Sequence, residues 1–330
     1  MLLVGAFLGA GFVSGREIAN YFSKFVGGSY LGIFFAVLTL FLLVIFFFQI
    51  SNRVNSFSQF ISLYFGKLKN VIRILFIICL LILIGTMFAG CKEVANSLNI
   101  SYLLILIITS VLCYWIVKND ISKLSKINII FMPLILCFIC FFVTNNLLPF
   151  ARLEFSIFSF FSGVSYIFIN IVTLGVFIIE IGGGYTKKQQ IISTVIFCLF
   201  VGVFLIMINN SIVNTNSVFL EMPMVYLANL KGVIWVKIMS ILIWIGLFTT
   251  LISCVFVLKN ILIDLKINEK LAIVFIIGFG LIFSLISFAV MVNYIYLIIG
   301  FIGLYIVVKS LKKERELVIL SSHSNKKFNC

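Results

Sequence analysis

Apolar runs about as long as a membrane is thick recur along the whole chain and constrain its fold more than any other feature. The hydrocarbon core of a bilayer is about 30 Å thick, so a spanning helix needs about 20 largely apolar residues. With 63% hydrophobic and 10% charged residues, the composition lies outside the range of soluble globular proteins. The runs predict an all-α polytopic membrane protein in a lipid bilayer. Its ten predicted spans are residues 1–25, 28–50, 71–91, 101–117, 127–145, 157–181, 190–209, 233–258, 271–289 and 292–308.

The basic residues predict how these helices are oriented, because loops that stay in the cytoplasm retain Lys and Arg. If the N-terminus lies in the cytoplasm, eighteen Lys and Arg residues fall on the inner side and five on the outer side. We therefore expect both termini in the cytoplasm. The net charge of +14 then reflects topology, and no nucleic-acid partner is expected. The polar segment 214–231 is predicted to form an external loop with a short helix.

Cysteine and histidine are not arranged as metal ligands or catalytic groups. Seven of the eight cysteines lie in or beside apolar runs, and the only histidine is His323 in the polar tail. No disulfide framework, metal centre or cofactor is expected, apart from a coupling Na⁺ or H⁺. Intramembrane hydrolases and acyl transferases need histidine, paired acids or a placed nucleophile, so we do not expect an enzyme.

The first predicted span carries an unusual set of residues for a membrane helix. They are Gly5, Gly9, Gly11, Gly15, Arg16 and Glu17. The first two glycines, four residues apart, are equally typical of close helix packing. Packing does not explain the others, because a charge inside a membrane is costly unless it faces protein or water. Since non-helical backbone at membrane depth occurs where it lines a cavity, we predict a broken helix beside a binding cavity. Free amides there would favour an anion.

A polar stripe on the sixth predicted span is a second candidate for contact with a ligand. Tyr166, Asn170 and Thr173 are spaced i, i+4, i+7, so they share one helix face. Hydrogen bonding between helices explains such a stripe as well as substrate contact does. Both interpretations stay open at this point.

The eighth predicted span carries three hydroxyl residues in an otherwise apolar run, namely Thr249, Thr250 and Ser253. Hydroxyls at this density often bond back to their own helix. They are also suitable ligands for a small cation. The pattern alone favours bonding to the helix.

The first and sixth spans are the two most interrupted ones, and they occupy the same place in two halves of five helices. An odd repeat length inverts the second half in the membrane, which is the transporter pattern of the LeuT fold. We therefore predict one transmembrane domain over 1–310, with repeats at 1–146 and 155–310, and a basic cytoplasmic tail at 311–330.

Three motifs resemble a family of bacterial membrane proteins. Gly9 to Ile18 reads GAGFVSGREI and resembles the GAGFASGQEI signature of the YkvI-type family. Tyr166 to Asn170 is similar to its sixth-helix Y-x-x-Y-N, and Phe248 to Thr250 is similar to its eighth-helix YTT. The resemblance covers nearly the whole chain. It implies the amino acid–polyamine–organocation superfamily, the five-plus-five fold and a bacterial cytoplasmic membrane.

The resemblance also implies roles for individual residues. The solute carboxylate would contact backbone amides at Gly9, Ala10 and Gly11. A sodium site would use the carbonyls of Gly5 and Leu8 and hydroxyls of the eighth helix, Thr249 and Thr250, with Ser253 beside them. Two departures matter: Phe12 stands where some sodium transporters carry an amide, which argues against a second sodium, and Arg16 replaces the usual Gln.

These features predict a secondary transporter that couples uptake of a small amino acid or related solute to a cation by alternating access. The cation is Na⁺ at the hydroxyl site, or H⁺ carried by Glu17 or Glu180. Arg16 is a gating candidate, and Glu180 is equally explained by surface exposure. The alternative is a ligand sensor without transport on the same fold, similar to spore-germinant receptor subunits.

Overall fold

The computed structural model describes residues 2–7, 9–54, 56–119, 122–143, 154 and 156–327, and these contain helices and no strand. The helices are α1 (Leu2–Phe7), α2 (Ala10–Val13), α3 (Arg16–Tyr21), α4 (Ser29–Ser51), α5 (Phe57–Phe65), α6 (Lys69–Leu98), α7 (Tyr102–Asn119), α8 (Ser122–Val143), α9 (Ile157–Gly182), α10 (Lys187–Asn214), α11 (Pro223–Asn229), α12 (Val233–Asp264), α13 (Glu269–Phe283), α14 (Phe288–Val290) and α15 (Tyr296–Lys327). A 3₁₀ segment, Ser23–Gly28, precedes α4, and a π-helical turn, Met291–Ile295, precedes α15.

Within the described residues, six helical segments are long and apolar enough to cross a membrane. They are Ser23–Ser51, Phe57–Leu98, Ile157–Glu180, Lys187–Asn214, Val233–Asp264 and Phe288–Ile319. Each of the other predicted spans overlaps a shorter or broken helical segment: α1 to α3, α7, α8 and α13. The predicted all-α membrane architecture is confirmed. α13 ends at Phe283, before the predicted limit of 289, because the chain turns at Ser284.

The interruption predicted in the sixth span is wrong, because α9 is one continuous helix from Ile157 to Gly182. Two of its polar side chains bond within the helix: the Asn170 amide donates to the Tyr166 carbonyl (3.0 Å) and the Thr173 hydroxyl to the Asn170 carbonyl (3.1 Å). They therefore need no break in the backbone to be satisfied. The π-helical turn lies elsewhere, near the start of the last candidate span, Phe288–Ile319.

Glycines in α9 allow close packing against α4. A Cβ at Gly163 would collide with the carbonyl oxygen of Gly32 on α4. Farther along, a Cβ at Gly175 would lie 2.7 Å from the Phe47 ring. Small residues let membrane helices approach closely, and here they hold α4 and α9 together along their length.

A short amphipathic helix, α5, lies where the sequence predicts only a connection before the span at 71–91. Phe57, Phe60, Ile61 and Tyr64 recur at helical spacing and are buried. Its N-terminus is capped twice, by the Ser56 hydroxyl accepting from the Gln59 N–H (3.2 Å) and by a carboxylate of α9 described below. α5 therefore packs as part of the bundle rather than as a loose loop.

Candidate functional site

The first span is broken near Gly9, as the glycines predict, and it is broken a second time at Gly15. α1 ends at Phe7, and the N–H groups of Phe12 and Val13 both donate to the Gly9 carbonyl, at 3.1 and 3.2 Å. After the single turn of α2, Gly15 has a φ of 79°, which is the left-handed region that glycine adopts without strain. α3 then starts at Arg16. Three short helical pieces thus replace one straight helix.

Glu17 lies buried at the second break with no compensating charge. It is 5% exposed, and its Oε2 has no hydrogen-bond partner among the described residues. A Cβ at Gly11 would overlap the Glu17 carboxylate, so this carboxylate fills the space beside α2. None of the three ion pairs within the described residues includes Glu17.

Tyrosine hydroxyls surround this carboxylate. Those of Tyr21, Tyr166 and Tyr296 are all within electrostatic range of Glu17. The hydroxyls of Tyr21 and Tyr166 have no hydrogen-bond partner in the described part of the chain. Their rings are 5.6 Å apart, between centroids. We call Glu17, Tyr21 and Tyr166 the Glu17 cluster.

Aromatic rings form the walls of the Glu17 cluster. The Phe7 and Phe22 rings meet the Tyr166 ring edge-on, with centroids 5.9 and 5.3 Å away. Phe7 ends α1 and Phe22 follows α3, so the breaks in the first span bring both rings to Tyr166 on α9. The result is a buried, aromatic-walled group of three polar side chains.

The end of the bundle that carries α11 is covered by a loop held by Arg16. The Arg16 Nη1 donates to the carbonyls of Leu220 (2.8 Å) and Val218 (3.3 Å), and its Nη2 donates to Asn293 Oδ1 (3.1 Å). The Met224 N–H donates to the Ser14 carbonyl (3.0 Å). The short helix predicted in segment 214–231 is α11.

The end of the bundle that carries α5 is closed by a different cluster. Glu314 on α15 pairs with Arg53 Nε (2.8 Å) and accepts from the Tyr64 hydroxyl (2.5 Å). The exposed Glu180 accepts from the Phe57 N–H (2.9 Å) and so caps α5. Glu180 follows Tyr166 by 14 residues on α9, which is about 20 Å along the helix. The structure therefore does not bring Glu180 to the Glu17 cluster.

The predicted ion-site hydroxyls on α12 all bond to their own helix. Thr249 and Thr250 donate to the Gly246 carbonyl (3.1 and 3.0 Å), and Ser253 donates to the Thr249 carbonyl (3.0 Å). Gly246 packs against Val13 of α2, so these hydroxyls lie roughly one turn from the broken span. A hydroxyl that donates to a carbonyl still has lone pairs for a cation.

The remaining predicted residues are placed less fully. Leu8 lies outside the described residues, as does the side chain of Ala10. Gly5 lies in α1 and is half-buried. At Gly9, an added Cβ would meet no described atom within 4 Å, so there is open space beside the first break.

Sequence reasoning missed two members of this neighbourhood, Tyr21 and Tyr296. Tyr21 follows Glu17 by four residues on α3, and this spacing could have identified it. Tyr296 starts α15, and no local pattern relates it to the first span.

A cavity near α5 lies apart from this site. It is apolar and is lined by residues of five helices, among them Phe47, Phe57, Phe76 and Ile306. Glu17, Tyr21 and Tyr166 do not line it.

The overall arrangement is similar to a solved transporter structure. That structure is Mhp1, a nucleobase-cation-symport-1 family transporter in a closed conformation with bromovinylhydantoin bound. The TM-score is 0.60 at 14% identity, over 85% of this chain and 70% of that one. The chain has a LeuT-type fold. No protein-family model and no curated protein sequence matches it.

Proposed function

We propose that this protein is a cation-coupled secondary transporter for a small solute, working by alternating access. The observation that carries the proposal is Glu17, a buried carboxylate at the break of the first span of a LeuT-type fold. Among the described residues its Oε2 has no hydrogen-bond partner, and no cation pairs with it. Such a group is costly to bury unless a ligand or a proton neutralises it. Irregular backbone at membrane depth also marks solute sites in this kind of transporter.

The two closures of the bundle support alternating access. The Arg16 contacts seal the α11 end, and the Glu314 contacts seal the α5 end. The two clusters share no residue, so each can open while the other stays closed. In the predicted orientation, the α11 end faces outward and the α5 end faces the cytoplasm of a bacterial cell.

The solute is proposed to be a small amino acid or a related compound, as the resemblance to the YkvI-type family and its superfamily implies. Gly9, Ala10 and Gly11 would contact it through the backbone, and Tyr166, Asn170 and Thr173 from α9. The coupling ion would be Na⁺ at the α12 hydroxyls and the α1 carbonyls, or H⁺ at Glu17. No covalent chemistry is part of this function.

The test is uptake of a panel of labelled amino acids by proteoliposomes containing the full chain, with an imposed Na⁺ or H⁺ gradient and protein-free liposomes as the control. We expect uptake above the control that rises with one of the gradients. If the ion is Na⁺, Thr250→Val should weaken the sodium dependence, since it removes a lone-pair donor but keeps the shape. Uptake at the same rate with and without the Na⁺ and H⁺ gradients would contradict cation coupling. Binding without uptake would indicate a sensor instead.

A further inference from the structure

The Glu17 cluster lacks positive charge, and this observation limits what it can bind. The neighbouring cation, Arg16, is turned to the carbonyls of Val218 and Leu220 and to Asn293. Lys24 bonds to Asn20 and is exposed. No Lys or Arg in the described part of the chain pairs with Glu17. A buried carboxylate without a paired cation is costly, and a cation that binds from outside the protein would neutralise it.

Three buried oxygens of the Glu17 cluster have no hydrogen-bond partner among the described residues: Glu17 Oε2 and the hydroxyls of Tyr21 and Tyr166. All three side chains are at least nine-tenths buried. An ammonium group has three N–H donors and no acceptor, so it can donate one hydrogen bond to each of the three oxygens. A proton on Glu17 would add a single O–H donor, which can serve only one of the two hydroxyls. A bare metal cation takes about six oxygen ligands, more than these three.

The walls of the cluster also suit an organic cation. The rings of Phe7 and Phe22 pack on the Tyr166 ring, with centroids 5.9 and 5.3 Å away. Aromatic rings attract ammonium groups through their negative faces when water is excluded.

The Glu17 carboxylate occupies the space beside Gly11, next to the backbone amides that the sequence assigns to a solute carboxylate. A solute anion placed there would meet a like charge in a medium of low polarity. A solute cation would meet an opposite charge. The open space beside Gly9 is left for the rest of the solute.

We propose that Glu17 is the counter-ion for a protonated amino group of the transported solute, with the hydroxyls of Tyr21 and Tyr166 accepting its other N–H groups. This inference rests on the proposed function and specifies which group of the solute is recognised. The recognised feature is the ammonium group, and a carboxylate on the solute is not required for binding. The substrate class is therefore small primary amines, including amino acids.

The test compares solutes that differ in one charged group, at neutral pH with the full chain in proteoliposomes. L-Alanine, ethylamine and propionate form one set, and L-leucine, isoamylamine and 4-methylpentanoate form another. Each compound is added unlabelled and tested as a competitor against a labelled amino acid that the uptake panel has identified as a substrate. We expect the amines to compete and the acids not to compete. Competition by the acids but not by the amines would overturn the proposal without any mutant.

Variants of the Glu17 cluster test whether competition by amines depends on these side chains. Glu17→Gln should weaken competition by the amines at least about thirtyfold, because one partner of a buried charge pair is lost. Tyr166→Phe should weaken it less, about three- to tenfold, because a neutral hydrogen bond is lost. The matched control is Glu316→Gln, an exposed glutamate that pairs with Lys313. Unchanged amine competition in a folded Glu17→Gln protein would contradict the inference.

The uptake and binding experiments together distinguish a failure of this inference from a failure of the proposed function. If no amino acid is taken up, the proposed transport fails, and calorimetric binding of ethylamine and propionate to the purified chain tests the ammonium site directly. Ethylamine binding that Glu17→Gln abolishes would support the site in a protein that does not transport. Uptake in which amines compete no better than acids would support transport but would contradict the ammonium site at Glu17.

Discussion

The first span and α9 contain the same kinds of residue, yet one is broken and the other is continuous. Each places glycines and polar side chains inside a membrane helix. In α9, Gly163 faces a neighbouring carbonyl, and Asn170 bonds within its own helix. In the first span, Gly15 takes a positive φ, and Glu17 is left without a partner among the described residues.

The difference between the two spans comes from hydrogen-bond donors. A hydroxyl or an amide can donate to a carbonyl three or four residues earlier, so Asn170 and Thr173 are satisfied without leaving the helix. An ionised carboxylate has no proton to donate, so Glu17 cannot be satisfied by its own carbonyls. A polar residue in a membrane span therefore marks a binding site more strongly when it is an acid than when it is an amide or a hydroxyl.

The largest loss of stability is expected at a glycine that lets two helices pack closely. Gly163→Ala should lower the free energy of unfolding by about 2–3 kcal/mol, because the new methyl collides with the Gly32 carbonyl and α9 must move away from α4. The measurement is unfolding in mixed micelles. Gly9→Ala, in the first span, is the matched variant and should change stability by less than about 1 kcal/mol. Equal losses would show that the two spans use glycine in the same way.

A smaller loss of stability is expected at Gly15, the glycine at the second break of the first span. Gly15→Ala should cost about 1–2 kcal/mol of stability, because its φ of 79° is strained for any residue with a Cβ. Gly278→Ala is the control, since it lies inside α13 and an added Cβ there would meet nothing within 4 Å. A Gly15→Ala protein as stable as Gly278→Ala would mean that the second break does not depend on left-handed backbone.

The smallest effect is expected for a polar residue that bonds within its helix. Asn170→Ala should change the free energy of unfolding by less than about 0.5 kcal/mol. Asn209→Ala on α10 should cost more, about 1 kcal/mol, because the Asn209 amide donates to the Ser29 hydroxyl on α4 (3.0 Å). Thermal unfolding of the two variants side by side measures the difference. A larger loss for Asn170→Ala would indicate that α9 relies on its polar stripe after all.

The sequence predicts the features that the membrane imposes. Spans appear as apolar runs because the bilayer requires about 20 such residues, and the break in the first span is visible because glycine and an acid are costly there. α5 was missed because its buried face, from Phe57 to Tyr64, is short and interrupted by polar residues.

The sequence could not reveal contacts between distant segments. Arg16 reads as a charge beside Glu17, but its partners lie about 200 residues away, at Val218 and Leu220. The continuity of α9 was also hidden, since a glycine that packs and a glycine that bends look the same in a sequence. The roles of Gly9, Thr250 and Ser253 in binding stay predictions.

The most direct test of the account is an experimental structure of the full chain in a lipid nanodisc with the solute identified by uptake. The account predicts density for the solute with its amino group within about 3 Å of the Glu17 carboxylate and the hydroxyls of Tyr21 and Tyr166. Density for the solute at any other place in the bundle, with no solute group near Glu17, would contradict it.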